Sequence, residues 1–268
     1  MHHHQPDGIR HARRRSSQAS RSVRCCVHDA VRRLQPLIAA TCADPNAILV
    51  CAAVSPLPAF KEITMSAIVE TIKHRISANS YDPTRQLSDQ QIAELIDLAT
   101  RAPSAFNLQN WRFVAVRSAQ AKERLLPLAY SQRKVVDAAV TFIVCGTLKP
   151  HATLPAALKP AVDAGILDEA VFDMWIGAAQ GMYSKNPALQ RDEAIRSGSL
   201  AAMTLMLAAT DLGMVSAPMI GFDQGAVADA FGLSADEIPV MMVTVGYAGE
   251  ANWPQKPRKA VQYVLEFV

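Results

Sequence analysis

Cysteine and histidine are scarce in most of this 268-residue chain, and their scarcity excludes two kinds of site. Four of the five cysteines lie within residues 1–64, and only Cys145 follows them, inside an apolar run. Of the seven histidines, only His74 and His151 lie beyond residue 64, far apart and without carboxylates at ligand spacing. Residues 65–268 therefore have no basis for a disulfide framework or a thiolate metal site, and we expect no catalytic metal there.

The chain also lacks the short motifs of several common protein classes. It contains neither G-x-G-x-x-G nor G-x-x-x-x-G-K-[ST], the loops that cradle phosphates in dinucleotide and nucleoside triphosphate sites. Ser104 lacks the G-x-S-x-G turn that exposes a nucleophilic hydroxyl. The apolar run over residues 37–60 is interrupted by Asp44 and Pro45, so it falls short of the roughly 20 residues that span a membrane. Hydrolase, P-loop and transmembrane assignments are therefore not supported.

Positive charge is concentrated at the start of the chain. Of the 27 basic and 24 acidic side chains, residues 1–64 carry nine and four, a net charge of +5. Residues 65–268 carry the remaining 18 and 20, a net charge of −2. The Arg- and Ser-rich beginning is compatible with a transit peptide, a nucleic-acid arm or a dispensable disordered segment. The overall charge of +3 therefore says nothing about a nucleic-acid partner for residues 65–268.

The boundary near residue 64 has a further feature. Lys61 and Glu62 can be encoded by AAG-GAG, a purine-rich ribosome-binding sequence suitably spaced before Met65. Together with the change in charge and cysteine content, this favours a disordered or non-native extension over 1–64 and a natural start at Met65. A genuine tail or targeting segment remains the alternative. We expect one domain over 65–268.

Hydrophobic periodicity predicts alternating helices and strands in that domain. The clearest helix follows Ser88, which forms a capping box with Gln91, and it ends before Pro103. A later helix is apolar on nearly every face from Leu200 to Ala209, so it must be buried or lie in a subunit interface. The mixture indicates an α+β sandwich around one sheet. The other predicted segments are strands at 111–118, 138–146, 214–219 and 240–249 and helices near 118–129, 161–183, 191–212 and 223–232.

Three separated groups of polar side chains are candidates for a binding site. They are Arg75, Ser77 and Asn79, then Ser104, Asn107 and Gln109, then Lys256 and Arg258. Arginine offers a fixed fork of donors for phosphate, and amides offer both a donor and an acceptor for a polyol or a pyrimidine-like ring edge. Flavin mononucleotide (FMN) would use all of these. The alternative is that the cations are solvated and that the other side chains merely satisfy a helix exit and its turn.

Five segments of the chain carry a family resemblance. RISANSYDP, LATRAPSAFNLQNWRFVAV, PMIGFD, VTVGY and PQKPRK follow one another in the order seen in the nitroreductase-like FMN-dependent oxidoreductases. Residues 65–268 resemble that family, and in particular its short bacterial branch of NAD(P)H-dependent quinone and nitro reductases. The resemblance implies a three-layer α-β-α sandwich with a mainly antiparallel central sheet, in a dimer that exchanges its C-terminal tail.

The resemblance also implies an FMN site. The cations and Ser77 would hold the phosphate, Asn107 would reach the isoalloxazine ring, and Gln109 would lie nearby. The backbone of Ile220 or Gly221 would face flavin N5, where hydride arrives and leaves, so no side chain is implied as catalytic. The full implied set is Arg75, Ser77, Asn79, Ser104, Asn107, Gln109, Pro218, Met219, Ile220, Gly221, Lys256 and Arg258.

Three positions depart from the family pattern. Asn79 stands where many relatives have a basic residue near the flavin, Ile220 where some have glutamate, and Asn110 where a proline is frequent. Without a cation beside the pyrimidine end of the flavin, the reduced anionic form should be less stable than in relatives that have one. The resemblance therefore does not predict the redox potential or the preferred acceptor.

The activity implied by the resemblance is a ping-pong cycle. NAD(P)H gives a hydride to FMN and leaves, and a quinone, nitroaromatic or similar flat acceptor then takes the electrons. The implied setting is a cytoplasmic homodimer with neither a nucleic-acid nor a membrane partner. The alternative is a flavin-binding storage or sensor protein with little turnover, which the changes at Asn79 and Ile220 would favour.

Overall fold

The computed structural model describes residues 66–268. The interpretation of residues 1–64 and the predicted start at Met65 lie outside the described residues. The described part contains eight α-helices and four strands, numbered here in chain order. They are α1 (Ala67–His74), α2 (Asp89–Ala99), β1 (Trp111–Val116), α3 (Ala119–Leu128), α4 (Lys134–Asp137), β2 (Val140–Thr147), α5 (Pro150–Asp163), α6 (Glu169–Tyr183), α7 (Pro187–Asp211), β3 (Val215–Met219), α8 (Gln224–Ala230) and β4 (Glu237–Gly246), with single 3-10 turns at Ala105–Asn107 and Val261–Tyr263.

The four strands form one sheet in the order β1-β2-β4-β3, and all neighbouring strands are antiparallel. The two central strands, β2 and β4, are buried on both faces, which is why they read as continuous apolar runs. Along β2, Phe142 and Val144 point to one face of the sheet, and Ile143 and Cys145 point to the other.

Helices cover both faces of this sheet. α2 and α7 pack on the face that carries Phe142 and Val243, whereas α3, α4 and α8 pack on the face that carries Ile143 and Met242. A sheet that is apolar on both faces needs a helix layer on each to remove those side chains from water. The predicted three-layer α-β-α sandwich with an antiparallel central sheet is therefore confirmed.

Local sequence signals begin the helices as expected. The Ser88 Oγ accepts the N–H of Gln91 at 3.2 Å, and the Gln91 Oε1 accepts the N–H of Ser88 at 2.9 Å, which confirms the predicted capping box. Asp223 caps α8 through the N–H of Ala226. α2 ends at Ala99, and the chain then enters the turn that carries the second polar group.

The region between β2 and α7 differs from its prediction. In place of one helix over 161–183, the chain forms α5 and α6, separated by a turn in which Gly165 has a φ of 66°. The prediction is wrong because Pro155 and Pro160 lie inside α5, and an internal proline usually breaks a helix. α5 and α6 form a helical hairpin whose apolar contacts include Leu108, next to the second polar group.

The long helix α7 is buried on one side only. Leu205 and Ala209 are fully buried, whereas Leu200 and Met203 remain 40% and 38% exposed. The C-terminal residues 254–268 also lie on the surface, although several of them are large and apolar. No helix of the described chain combines the length and apolarity required to cross a membrane.

Candidate functional site

The end of α1 and the C-terminal segment enclose a small cavity. After α1 the chain runs through Arg75 and Ser77 to an isolated bridge with Ser216 at the start of β3. The segment after β4 returns across this stretch, so residues 180 positions apart become neighbours. The cavity has a volume of about 50 Å³ and is lined by Arg75, Ser77, Trp253, Pro254, Gln255, Lys256 and Arg258. The four residues predicted to bind phosphate thus come together.

Three cations line this cavity without a protein counter-ion. Burial lowers the pKa of Arg75, and the nearby positive charge of Arg258 lowers it further. Within residues 66–268, no carboxylate forms an ion pair with Arg75, Lys256 or Arg258. Like charges held together in this way form a site for an anion. The guanidinium forks and the Ser77 hydroxyl are donors that suit a phosphate group.

Asn79 lies beside this cavity, but its side-chain amide is already hydrogen-bonded within the protein. Its Nδ2 donates to the carbonyl of Ala251 at 2.7 Å, and its Oδ1 accepts the N–H of Trp253 at 3.4 Å. The backbone N–H of Asn79 donates in turn to Asn252 Oδ1 at 2.9 Å. The amide of Asn79 is therefore directed at the C-terminal segment of the same chain.

The second polar group forms a strained turn after α2. The residues Phe106, Asn107 and Gln109 have φ angles of 52°, 57° and 48°. Asparagine tolerates the left-handed region, but phenylalanine and glutamine rarely adopt it. The Ser104 Oγ accepts the N–H of Gln109 at 3.0 Å and so helps to hold the turn. Neither the Asn107 nor the Gln109 side-chain amide hydrogen-bonds to any residue in 66–268, and both are exposed.

Apolar packing and one buried amide compensate for the strain in this turn. The Phe106 ring meets the Trp175 ring edge-on, with centroids 6.1 Å apart, and Leu108 is buried against the α5–α6 hairpin. Asn110, the residue that replaces a frequent proline, is buried, and its Nδ2 donates to the carbonyl of Thr147 at 3.2 Å. A strained turn that presents two unbonded amides is typical of a ligand-binding position.

The segment Pro218–Gly221, which the resemblance places along the flavin, spans the last two residues of β3 and the turn that follows. Ile220 is 80% exposed, whereas the Met219 side chain is buried in the core, so Met219 offers only its backbone to the surface. The Gln132 Nε2 donates to the carbonyl of Gly221 at 2.7 Å and fixes the turn. A Cβ added at Gly221 would meet only that same Nε2, at 3.2 Å, within 4 Å of the described chain. Packing within the described chain therefore gives little reason for a glycine at this position.

Strand β3 connects the first polar group with the Pro218–Gly221 segment. The N–H of Ala78 donates to the carbonyl of Ser216 at 2.9 Å, next to Ser77. At a strand rise of about 3.3 Å per residue, Ile220 lies roughly 13 Å farther along β3 than Ser216. By contrast, no hydrogen bond in residues 66–268 joins the turn Ser104–Gln109 to the other two polar groups or to the Pro218–Gly221 segment. Within one chain, the first polar group therefore meets Lys256 and Arg258 and is joined through β3 to Pro218–Gly221, whereas the Ser104–Gln109 turn is not joined to them.

A tyrosine hydroxyl can donate a proton, and the two tyrosines Tyr183 and Tyr130 differ in their surroundings. Tyr183 is buried and donates to Glu193 Oε2 at 3.2 Å. Burial and the Glu193 charge raise the pKa of Tyr183 to about 12, so it is not a free acid at a pocket surface. Tyr130 lies exposed at the end of α3.

A larger cavity of about 530 Å³ lies elsewhere, and it includes none of the predicted site residues. Its charged side chains form ion pairs with one another. The Arg112 Nη1 lies 2.9 Å from the Glu237 Oε1, and the Lys149 Nζ lies 2.7 Å from the Asp236 Oδ1. Because these charges are satisfied within the protein, the smaller cationic cavity is the better candidate for an anionic ligand.

Three residues near the cavity were missed by the sequence analysis. Trp253 and Gln255 line it, and Asn252 hydrogen-bonds to the chain on its opposite side. The Trp253 ring centroid lies 4.9 Å from the Lys256 Nζ. A tryptophan and two amides immediately before a basic pair were the available signal, but their role depends on a segment far away in sequence.

Comparison with known proteins identifies the family of this chain. The sequence model of the nitroreductase family matches residues 72–247. YodC of Bacillus subtilis, named as an inferred NAD(P)H nitroreductase, is 33% identical over 184 residues, which cover 69% of this chain and 91% of YodC. MhqN of the same organism, named likewise, is 31% identical over 206 residues, or 76% of this chain and all of MhqN.

A solved structure gives the same result. The crystal structure of an inferred nitroreductase from Exiguobacterium sibiricum in complex with FMN superimposes with a TM-score of 0.71 at 31% identity. The match covers 76% of this chain and 99% of that one. With the extent of the family match, these similarities establish that the chain belongs to the nitroreductase family.

Proposed function

We propose that this protein is an FMN-dependent NAD(P)H oxidoreductase that reduces quinones, nitroaromatics or similar flat acceptors by a ping-pong cycle. The observation that carries the proposal is the cavity in which Arg75, Lys256 and Arg258 converge without a carboxylate partner from residues 66–268. Family membership, the NAD(P)H nitroreductase names of the relatives and the FMN in the Exiguobacterium structure support the same assignment.

The chain's residues would divide the binding of FMN among them. The three cations and the Ser77 hydroxyl would hold the phosphate, because charge-assisted hydrogen bonds to phosphate are strong. The unbonded amides of Asn107 and Gln109 would meet polar edges of the ring, with Ser104 shaping their turn. The backbone from Pro218 to Gly221 would lie along the flavin. When bound, FMN supplies the two-electron chemistry, and the protein binds it, orients it and tunes its potential.

We propose no side-chain acid or base for the reaction. Tyr183 is buried and bonded to Glu193, and within residues 66–268 the Tyr130 hydroxyl has no hydrogen-bond partner that would orient it. Protons would therefore come from water. The exposed apolar side chain of Ile220, where some relatives have glutamate, leaves the Pro218–Gly221 segment without a charge of its own.

We further propose a homodimer in which the exposed tail is exchanged and each flavin site draws on both subunits. Large apolar side chains are exposed on α1 and α7 and along the tail, an unusual amount for a monomer. A two-fold dimer would bury them. It would also explain why the Ser104–Gln109 turn is not joined to the other groups within one chain, since the partner would supply it. These side chains are Ile68, Ile72, Leu200, Met203, Val261, Tyr263, Val264, Leu265 and Phe267.

The cellular location of the protein and the start of its functional domain are also proposals. We propose that the enzyme works in the cytoplasm, without a nucleic-acid or membrane partner, and that residues 65–268 form the functional domain. Measuring the intact mass of the native protein would test the boundary, because a mass that includes residues 1–64 would contradict a start at Met65.

The proposed function is tested by the absorbance spectrum of the purified full-length protein. We expect a flavin spectrum that bleaches when NADH or NADPH is added without air and recovers when a quinone is added. Bound flavin that neither nicotinamide reduces would favour the storage or sensor alternative. A protein that takes up no FMN would contradict the roles proposed for Arg75, Asn107 and Arg258.

A further inference from the structure

The segment Ala251–Arg258 carries two of the three cavity cations but has little to hold it in place. Residues 253–258 are all exposed, so no buried apolar side chain anchors them. The positive charges of Arg75 and Arg258 oppose each other across the cavity, which favours moving this segment away. An exposed chain without anchors also gains conformational entropy when it leaves a fixed position. Other contacts must therefore keep the cations together.

At one end of the segment, two asparagines form a reciprocal set of hydrogen bonds. The Asn252 Oδ1 accepts the N–H groups of Asn79 at 2.9 Å and Ser80 at 3.1 Å. The Asn252 Nδ2 donates to the carbonyl of Ser80 at 2.7 Å. In the opposite direction, the Asn79 Nδ2 donates to the carbonyl of Ala251 and the Asn79 Oδ1 accepts the N–H of Trp253. These two residues lie on either side of Asn252.

At the other end, Gln255 ties the segment to the end of α1. Its Nε2 donates to the carbonyl of Arg75 at 2.9 Å and to the carbonyl of Ile72 at 3.3 Å. Carbonyl groups at a helix C-terminus have no partner within the helix, so they accept such bonds readily. Gln255 thereby fixes the backbone of one cavity cation to the segment that carries the other two.

We propose that Asn79, Asn252 and Gln255 act as an amide clamp, a set of positioning residues that holds Lys256 and Arg258 beside Arg75 before a phosphate group arrives. The inference rests on the proposed function and deepens it, because it assigns Asn79 to the phosphate end of the site through the C-terminal segment. It also explains why amides suit these positions: a lysine would add to the repulsion, and a carboxylate would neutralise the cations.

The clamp has a consequence that separates it from general structural support. If the segment is already ordered, binding of a ligand in the cavity does not include the free energy of ordering it. This advantage applies only to a ligand that uses the cavity. FMN carries a phosphate and riboflavin does not, although the two share the same ring and ribityl chain. Loss of the clamp should therefore weaken the binding of FMN and leave the binding of riboflavin nearly unchanged.

The test compares FMN and riboflavin binding to the flavin-free full-length protein by fluorescence quenching. In Asn252→Ala we expect the Kd for FMN to rise at least about tenfold, which corresponds to about 1.4 kcal/mol, while that for riboflavin changes less than about threefold. Gln255→Ala should shift the same ratio in the same direction. Gln86→Ala is the matched control, since it also removes an amide bond to a backbone carbonyl, that of Pro83, away from the cavity.

Each outcome decides the proposal. Equal weakening of both ligands in Asn252→Ala, or no weakening of either, would overturn the clamp while leaving the proposed function in place. A wild-type protein that fails to bind FMN would overturn both. Should the circular dichroism of Asn252→Ala show that it does not fold, Gln255→Ala and Asn79→Ala, which leave Asn252 in place, give the same comparison.

Discussion

At the scale of single residues, the described chain is most unusual where like charges meet and where the backbone is strained. Within residues 66–268, Arg75, Lys256 and Arg258 line a shared cavity without a carboxylate partner, and the exposed amides of Asn107 and Gln109 project from a turn with left-handed backbone angles. By contrast, the larger cavity has paired charges such as Arg112 and Glu237. Like charges held together and a strained turn indicate binding, because neither arrangement stabilises the fold by itself.

The role of Arg258 can be measured directly. We expect Arg258→Ala to raise the Kd for FMN by about ten- to hundredfold, because a hydrogen bond to a charged group contributes about 1.5–3 kcal/mol. Riboflavin should bind as before, because it carries no phosphate. Lys259→Ala removes the same charge from the next exposed position and controls for a change in net charge. Equal effects of the two substitutions would contradict a specific role for Arg258.

At the scale of elements, helix α7 approaches strand β2 closely at Gly146. A Cβ added at Gly146 would lie 2.8 Å from the Ala194 Cβ and closer still to the Ala194 carbonyl oxygen. Gly146 therefore lets the helix pack directly on the sheet. The α5–α6 hairpin that follows β2 supports the turn carrying Asn107 through Phe106 and Leu108.

This close approach predicts a difference between two glycines. We expect Gly146→Ala to lower the free energy of unfolding by about 1–3 kcal/mol, because the added methyl group overpacks the contact with α7. Gly177→Ala, in α6 with no atom within 4 Å of the added Cβ, should instead raise it by about 0.5–1 kcal/mol through helix propensity. Urea unfolding midpoints measure both. A stable Gly146→Ala variant would contradict the packing described for Ala194.

At the scale of the whole molecule, apolar side chains on the surface indicate an assembly larger than one chain. In the tail, Phe267 is 90% exposed, and Val264 lies three residues before it, also exposed. Burying a large apolar side chain contributes about 1.5–3 kcal/mol, so a dimer that covers several of them would be stable. The same dimer would bring a second copy of the Ser104–Gln109 turn to each cationic cavity.

The proposed tail exchange can be tested within the tail itself. We expect analytical ultracentrifugation of the full chain to give twice the 29.0 kDa chain mass. Val264→Ser with Phe267→Ser should raise the dimer Kd at least about hundredfold, because losing two buried apolar side chains costs about 3 kcal/mol or more. Gln262→Ala with Glu266→Ala, polar positions of the same tail, should change it little. A full chain that sediments as a monomer would contradict the dimer.

The sequence by itself determined the layered α+β fold, because the signals involved are local. Alternation along the edge strand β1, the capping box at Ser88 and the continuous apolar run around Cys145 in β2 arise from neighbouring residues and survive in the folded protein. The hairpin α5–α6 was not predictable in this way, since the prolines inside α5 oppose helix formation locally and packing against Leu108 and Tyr183 overrides them.

The arrangement of the site was decided only by the tertiary structure. The sequence supplied candidate cations and amides, and resemblance supplied an expected role for each, but neither could show that Arg75 and Arg258 share one cavity without a counter-ion. The bonds of Asn79 to Ala251 and Trp253 were equally hidden, because they join positions more than 170 residues apart. Periodicity reports which face of an element is apolar, whereas contacts between distant segments depend on how the whole chain packs.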